Sequence, residues 1–311
     1  MEAEKRNGIL LDSGTNEVEI MEFFLSGQSF GVNVAKVKQI IQFDETLIIH
    51  IPHSNPAALG AYLFRDETIP MIDLKKALDF QETQVEKPLA LVTEFNSLVN
   101  AFLIDGVNRI HRVSWKEIKP MNAMLEGFVS SFTGSVNIEN REILIVDLEQ
   151  LVAEVDPESQ LKQLEENDEE EFQKKHGIKI VIAEDSTYMR NTLFKSLKTL
   201  GFNVIETFDN GQSAYDYIVS LKEKAVSEGK SVREYLDMLI TDIEMPQMDG
   251  LTLCKQLKEQ PELSKLQVAV FSSLINKQLE EKCKKVGVDY YAAKPKLEEL
   301  NKIIIDCCSA S

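Results

Sequence analysis

The chain has 311 residues, 43% of them hydrophobic, and a formal net charge of −17. That is enough for two domains of about 100 to 200 residues each, with proper cores. The acidic balance excludes general binding to nucleic acid or anionic membrane, which needs a basic face, and no run of about 18 apolar residues is present to insert in a bilayer.

Residues 1–16 lack the apolar core of a signal peptide and read as a flexible N-terminus, so a cytoplasmic protein is expected. Val18 to Leu25 is strand-like, Ser26-Gly27-Gln28 turns, and Phe30, Val32 and Val34 alternate on a second strand, which together make a hairpin. Ala35 to Gln42 places Val37, Ile40 and Ile41 at helical spacing and predicts a short helix. Pro52 and Pro56 mark an irregular connection. Gly60 to Arg65 and Thr68 to Asp73 then flank a tight turn at Asp66-Glu67, with Leu74 to Leu78 as a helical cap. Leu89 to Phe95, turn Asn96-Ser97 and Leu98 to Asp105 repeat the hairpin. Ser114-Trp115-Lys116-Glu117 fits a capping box that opens a short helix, and Trp115 is expected to pack rather than bind. Phe132 to Ile138 and Arg141 to Asp147 pair around Glu139-Asn140. Many short strands with close turns imply a barrel or sandwich.

This half, residues 17–155, resembles the CheW-type coupling domain. The resemblance is carried by Gln28 to Val34, Gly60-Ala61-Tyr62-Leu63-Phe64-Arg65, Ile69-Pro70-Met71-Ile72-Asp73-Leu74, Asp105-Gly106-Val107 and Ile143-Leu144-Ile145-Val146-Asp147. It implies an all-β unit of two small five-stranded barrels that acts as an interaction module. Where that family has an Asn-Leu-Arg-Gly turn, this chain has Leu63-Phe64-Arg65-Asp66, so only the arginine is kept. Arg65 is a candidate contact for a partner's acid; the alternative is a solvated turn charge.

Residues 156–177 form an acidic linker, with Glu165-Glu166 and Asp168-Glu169-Glu170-Glu171 and few large apolar residues. Residues 178–311 follow as a second domain. Ile178 to Ala183 is a buried-strand pattern that ends in Glu184-Asp185. Ser186 caps a helix with Met189, Leu193, Leu197 and Leu200 on one face, ended by Gly201. Val204 to Phe208 is an edge strand, and Asp209-Asn210-Gly211 turns into a helix through Tyr217 and Leu221. Lys222 to Tyr235 is a long link of no readable purpose. Met238 to Thr241 ends in Asp242 and is followed by a loop to the amphipathic Leu251 to Leu257. Val268 to Phe271 ends in Ser272-Ser273, and Tyr290 to Ala293 in Lys294-Pro295. Helices are expected around Leu279, Cys283 and Val286, and through Leu297, Leu300 and Ile304.

Strand tips are where ligands bind in an open α/β sheet. Converging carboxylates suit a hard divalent cation such as Mg²⁺, while a lysine and a hydroxyl suit phosphoryl oxygens. Taken singly, each residue has an ordinary reading: a solvated acid, a helix cap for Ser272, a core aromatic for Tyr291. Cys254, Cys283, Cys307 and Cys308 lack metal-ligand spacing and read as reduced thiols, and His50, His53, His111 and His176 form no ligand pattern.

Glu184-Asp185, Asp242, Ser272 and Lys294-Pro295, in this order, resemble a two-component receiver domain over residues 178–308. That resemblance implies a doubly wound, flavodoxin-like α/β fold and assigns Asp242 as phosphoacceptor, Lys294 as the phosphoryl-contacting lysine, Ser272 as switch hydroxyl and Tyr291 as switch aromatic. Mg²⁺ would be held by Glu184, Asp185, Asp242 and the backbone carbonyl of Glu244. A coupling domain followed by a receiver is similar to the CheV-type chemotaxis adaptors. The implied partners are a CheA-type histidine kinase, chemoreceptor cytoplasmic tips and other CheW-like domains, at receptor arrays, with phosphorylation of Asp242 tuning the coupling. It is not expected to be a turnover enzyme; slow self-dephosphorylation is expected at most. The rivals are a phosphate sink for the kinase, a transcription regulator, for which no DNA-binding module is read, and a metal-dependent phosphatase using Asp242 as nucleophile.

Overall fold

A computed structural model describes the chain except for residues 1–15, 52–54, 82, 84, 96–97, 122–130, 156–176, 275–276, 295 and 309–311. The acidic segment at 156–176, Pro52 and the Asn96-Ser97 turn thus lie outside the described residues. Two compact units are present: Val18–Val113 with Met121–Gln160, and Leu161–Ser311 with Met1–Glu17 and Ser114–Pro120.

The first half of the chain folds as β1 (Glu17–Leu25), β2 (Gln28–Asn33), β3 (Val37–Gln42), β4 (Ile48–Ile49), β5 (Ala58–Phe64), β6 (Glu67–Asp73), α1 (Leu74–Ala77) and β7 (Leu89–Phe95). It continues through β8 (Leu98–Ile104), β9 (Gly106–Ser114), β10 (Lys119–Pro120), β11 (Phe132–Ile138), β12 (Arg141–Val146) and α2 (Leu148–Val155). The strands form two sheets, ordered β10-β11-β12-β2-β1-β9 and β3-β7-β8-β6-β5-β4. β4 and β10 are two-residue edges, so each sheet has five long strands. β12 runs parallel to β2 in the first sheet, and β6 parallel to β8 in the second.

Turn chemistry sets the hairpins. Ser26 and Gly27 take φ of 50° and 79°, and Glu139 and Asn140 take 52° and 63°, the left-handed pairs that match strand twist in two-residue loops. The β5–β6 turn falls on Arg65-Asp66, one residue earlier than expected, with Phe64 opposite Glu67 and Arg65 at φ 56°. The expected helix over Ala35 to Gln42 is instead a 3-10 turn, Val34–Lys36, followed by strand β3. β-branched Val37, Ile40 and Ile41 prefer extended backbone, and β7 supplies the ladder partners, with Ile40 opposite Leu91. Ser114 and Glu117 do form a capping box, on a 3-10 turn over Trp115–Glu117, and Trp115 is buried. Helix α2, for which no pattern was read, buries Leu148 and Leu151 against Phe23, Phe30, Leu91 and Phe102 in the main core.

The second half alternates strand and helix: β13 (Lys179–Ala183), α3 (Thr187–Thr199), β14 (Asn203–Phe208), α4 (Gly211–Ser227), β15 (Met238–Thr241), α5 (Gly250–Lys258), β16 (Gln267–Ser272), α6 (Lys277–Val286), β17 (Tyr290–Ala293) and α7 (Leu297–Cys308). All four strand pairings are parallel, in the order β14-β13-β15-β16-β17. The sheet is covered on both faces, which is why its strands read as continuous apolar runs. Val181, Ala183 and Leu239 pack with Ile218 of α4, Leu253 of α5 and Leu279 of α6. Ile180, Ile182, Met238 and Ile240 pack the other face with Met189 and Leu193 of α3 and Leu300 and Ile304 of α7. The long link resolves into the end of α4 and a 3-10 turn over Val232–Glu234, capped by Ser231.

Candidate functional site

Strand order reverses between β13 and β15, and such a switch point leaves a crevice at the carboxyl ends of the strands. The register aligns those ends: Ala183 pairs with Thr241, Thr241 with Val270, and Ser272 with Ala293. Glu184, Asp242 and Lys294 each follow by one residue, so three segments distant in sequence deliver their side chains to one place. Lys294, 1% exposed, donates from Nζ to Glu184 Oε1 at 2.9 Å and to Asp242 Oδ2 at 2.8 Å. Oxygens of Glu184, Asp185 and Asp242 lie within 4.8 Å of one another. A set of carboxylate oxygens at that spacing fits a hard, oxygen-seeking cation such as Mg²⁺, and Lys294 offsets part of the acids' mutual repulsion.

The backbone at Asp242 is tightly braced. Asp242 N donates to Ala183 O at 2.9 Å, Thr241 Oγ1 donates to Asp242 O at 2.8 Å, and Asp242 Oδ1 accepts from Ile243 N at 2.5 Å. Gly250 opens α5 so close that a Cβ there would lie 1.9 Å from Asp242 O. A Cβ on Gly211, the first residue of α4, would lie 2.1 Å from Met248 O in the same loop. Ile243, Met245 and Met248 anchor this loop in the core, and Asp249 caps α5 by accepting from Leu251 N and Thr252 N at 2.9 Å each. Burial pushes the Asp249 carboxyl above its usual range, opposed by these bonds and by Thr252 Oγ1.

Ser272 is fully buried, and its Oγ has no hydrogen-bond partner. An unsatisfied buried hydroxyl in a native core calls for an explanation. Glu244 is buried in the loop that follows Asp242. Tyr291 is half-buried and donates to Glu280 Oε2 of α6 at 3.2 Å; desolvation and that carboxylate both push its phenol upward. Pro295 lies outside the described residues. One participant escaped the sequence reading. Arg190 of α3 donates from Nη1 to the carbonyls of Glu184 and Asp185, at 2.7 and 3.1 Å, and nothing in its spacing distinguishes it from any helix-surface arginine.

In the first unit Arg65 is exposed, bonds Gln39 Oε1 at 2.7 Å, and lies over the Phe64 ring at 5.1 Å. Glu22, wholly buried on β1, was also not singled out by the sequence. It accepts from Ser29 Oγ and Arg141 Nη1 at 2.7 Å, His111 Nε2 at 2.8 Å and Asn108 Nδ2 at 2.9 Å. Burial raises its carboxyl, but the bonds from Arg141, His111, Ser29 and Asn108 outweigh that and hold it at about 2.

Residues 19–156 match the family model of the CheW-like domain, and residues 180–305 that of the response regulator receiver domain. Chemotaxis protein CheV3 of Helicobacter pylori is 28% identical over 310 residues, covering 94% of this chain and 96% of that protein. Chemotaxis protein CheV2 of the same organism is 26% identical over 308 residues, covering 93% and 94%. Response regulator receiver protein CpdR of Brucella abortus is 36% identical over 97 residues, covering 31% of this chain and 69% of that protein. The second half therefore belongs to the response regulator receivers, which is not a family of catalytic enzymes, and the first half is a CheW-like domain. In that combination, over nearly its whole length, the chain is similar to the CheV chemotaxis proteins. No described helix is long and apolar enough to cross a membrane.

Proposed function

We propose that this protein links chemoreceptor tips to a CheA-type histidine kinase through residues 17–155, and that phosphorylation of Asp242 in residues 178–311 tunes the link across the acidic segment 156–177. The observation that carries the reading is the set of Asp242, Lys294 and buried, unpartnered Ser272 on three adjacent strand ends. An Asp242 carboxylate oxygen attacks phosphorus on a donor phosphohistidine; the O–P bond forms as the N–P bond breaks, and the departing imidazole takes up a proton. Glu184, Asp185, Asp242 and the Glu244 carbonyl would hold Mg²⁺, which when bound offsets the charge repulsion between carboxylate and donor. Lys294 stabilises the charge on the transferred group. Ser272 Oγ donates to a phosphoryl oxygen, and Tyr291 turns into the space the serine leaves, which alters the surface of α6 and β17. Self-dephosphorylation is slow, because the Glu244 carboxylate repels attacking hydroxide and Leu274 offers no bond to orient water. Arg65 meets an acid on a partner, other CheW-like domains included.

Receptor-to-kinase coupling, measured with wild type and Asp242→Ala with and without phosphodonor, tests the reading. Phosphodonor is expected to change kinase output with wild type only. Equal output in every case would leave a phosphate sink, and absence of an acetyl-phosphate mass gain that Asp242→Ala abolishes would remove the acceptor altogether.

A further inference from the structure

Three residues, Glu184, Asp185 and Ser186, separate β13 from α3, and the carbonyls of the first two have left the sheet ladder and have not yet joined the helix. A carbonyl so placed needs a partner. Both find theirs on one side chain: Arg190 Nη1 donates to Glu184 O at 2.7 Å and Asp185 O at 3.1 Å, while Arg190 N makes the first helix bond, to Ser186 O at 2.8 Å. The guanidinium is itself steadied by Thr187 Oγ1, 3.2 Å from Nη2. Because peptide units are planar, fixing the carbonyls on either side of Asp185 fixes the direction of its Cα–Cβ bond and leaves only side-chain torsions free. Glu184 and Asp242 have a brace of their own in Lys294.

We propose that Arg190 is a positioning residue for the cation site, a clamp that presets the Glu184-Asp185 turn so that both carboxylates face Asp242 before an ion arrives. The inference rests on the receiver reading above and goes beyond it, since Arg190 touches neither ion nor phosphoryl group. It separates from a plain charge effect by sign. Removing a positive charge near a dication strengthens binding by Coulomb's law, whereas removing a clamp weakens it. Lysine keeps the charge and loses the planar fork, so Arg190→Lys leaves binding unchanged on the first account and weaker on the second.

The test is calorimetric titration of the full chain with MgCl₂, together with the Mg²⁺ dependence of acetyl-phosphate labelling followed by intact mass. Residues that support a ligand set from behind typically contribute about 10-fold or more to metal affinity. Arg190→Met is therefore expected to raise the Mg²⁺ dissociation constant and half-saturating concentration about 10-fold, with labelling at saturating Mg²⁺ close to wild type. Arg190→Lys and Thr187→Val are expected to fall between, and serve if melting in EDTA shows that the methionine variant fails to fold. Equal or tighter Mg²⁺ binding by Arg190→Met and Arg190→Lys overturns the clamp, as does a lower saturated rate at unchanged half-saturation. If wild type neither binds Mg²⁺ nor is labelled, the receiver reading falls first; if wild type does both, the variants judge the clamp alone.

Discussion

At position 250 there is no room for a methyl group, because its carbon would lie 1.9 Å from the Asp242 carbonyl oxygen. Gly250→Ala is expected to cost about 2 kcal/mol or more in urea unfolding, in the manner of other small-to-large changes in packed surroundings, and to lower acetyl-phosphate labelling. Ser272→Ala makes the opposite case. Its hydroxyl bonds nothing in the structure, so the substitution is expected to shift stability by less than about 1 kcal/mol while slowing the response to phosphorylation. A loss of several kcal/mol in unfolding would show that the serine serves the core instead. Sequence made the charged members of the site legible, because an acid or lysine that terminates an apolar run is conspicuous. Gly250 and Arg190 were not, because their roles lie in backbone distances that only the folded chain creates.

At the scale of elements, patterning succeeded where one face or both faces of an element are buried over its whole length. The hairpin around Glu139-Asn140 and helix α3 with its Ser186 cap fall where apolar spacing and turn residues put them. β3 misled because Val37, Ile40 and Ile41 satisfy a helical period as well as a strand, and its partner β7 is some fifty residues away. The Glu22 network was invisible for a related reason: an acid in an otherwise apolar strand reads as an interruption until β2, β9 and β12 bring four donors to it. Its carboxyl sits at about 2, against the usual 4.5. The resulting stability is fully present above pH 4.5 and is lost as pH falls towards 2. Glu22→Gln is expected to lower stability at neutral pH by up to about 2 kcal/mol, allowing for solvent screening, and to flatten the acid limb. Urea melts of both proteins from pH 7 downward measure this, and parallel acid limbs would assign the sensitivity to other acids.

For the molecule as a whole, length and apolar content allowed two domains, and the chain has two compact units. Cys254 and Cys283 are buried and free, with burial pushing their thiols up to about 12 and 11. Neither is expected to react with a thiol reagent at pH 7 until the receiver unfolds, so mass-resolved labelling through a urea series should track its unfolding. A net charge of −17 implies self-repulsion that salt screens, and added NaCl is expected to raise the melting temperature; a fall would mean that surface ion pairs outweigh the repulsion.

Lys294 grips Glu184 and Asp242 together, and this has an outcome for timing. Three carboxylates against one ammonium leave two formal negative charges, the amount a single dication neutralises. On the proposed reading, arrival of a phosphoryl group, worth roughly −1.5 to −2, would tip that balance again, and the buried ammonium could no longer serve both its old neighbours and the newcomer equally. On the proposed reading, release of Lys294 from Glu184 would be where a chemical event at one carboxylate first becomes a mechanical one.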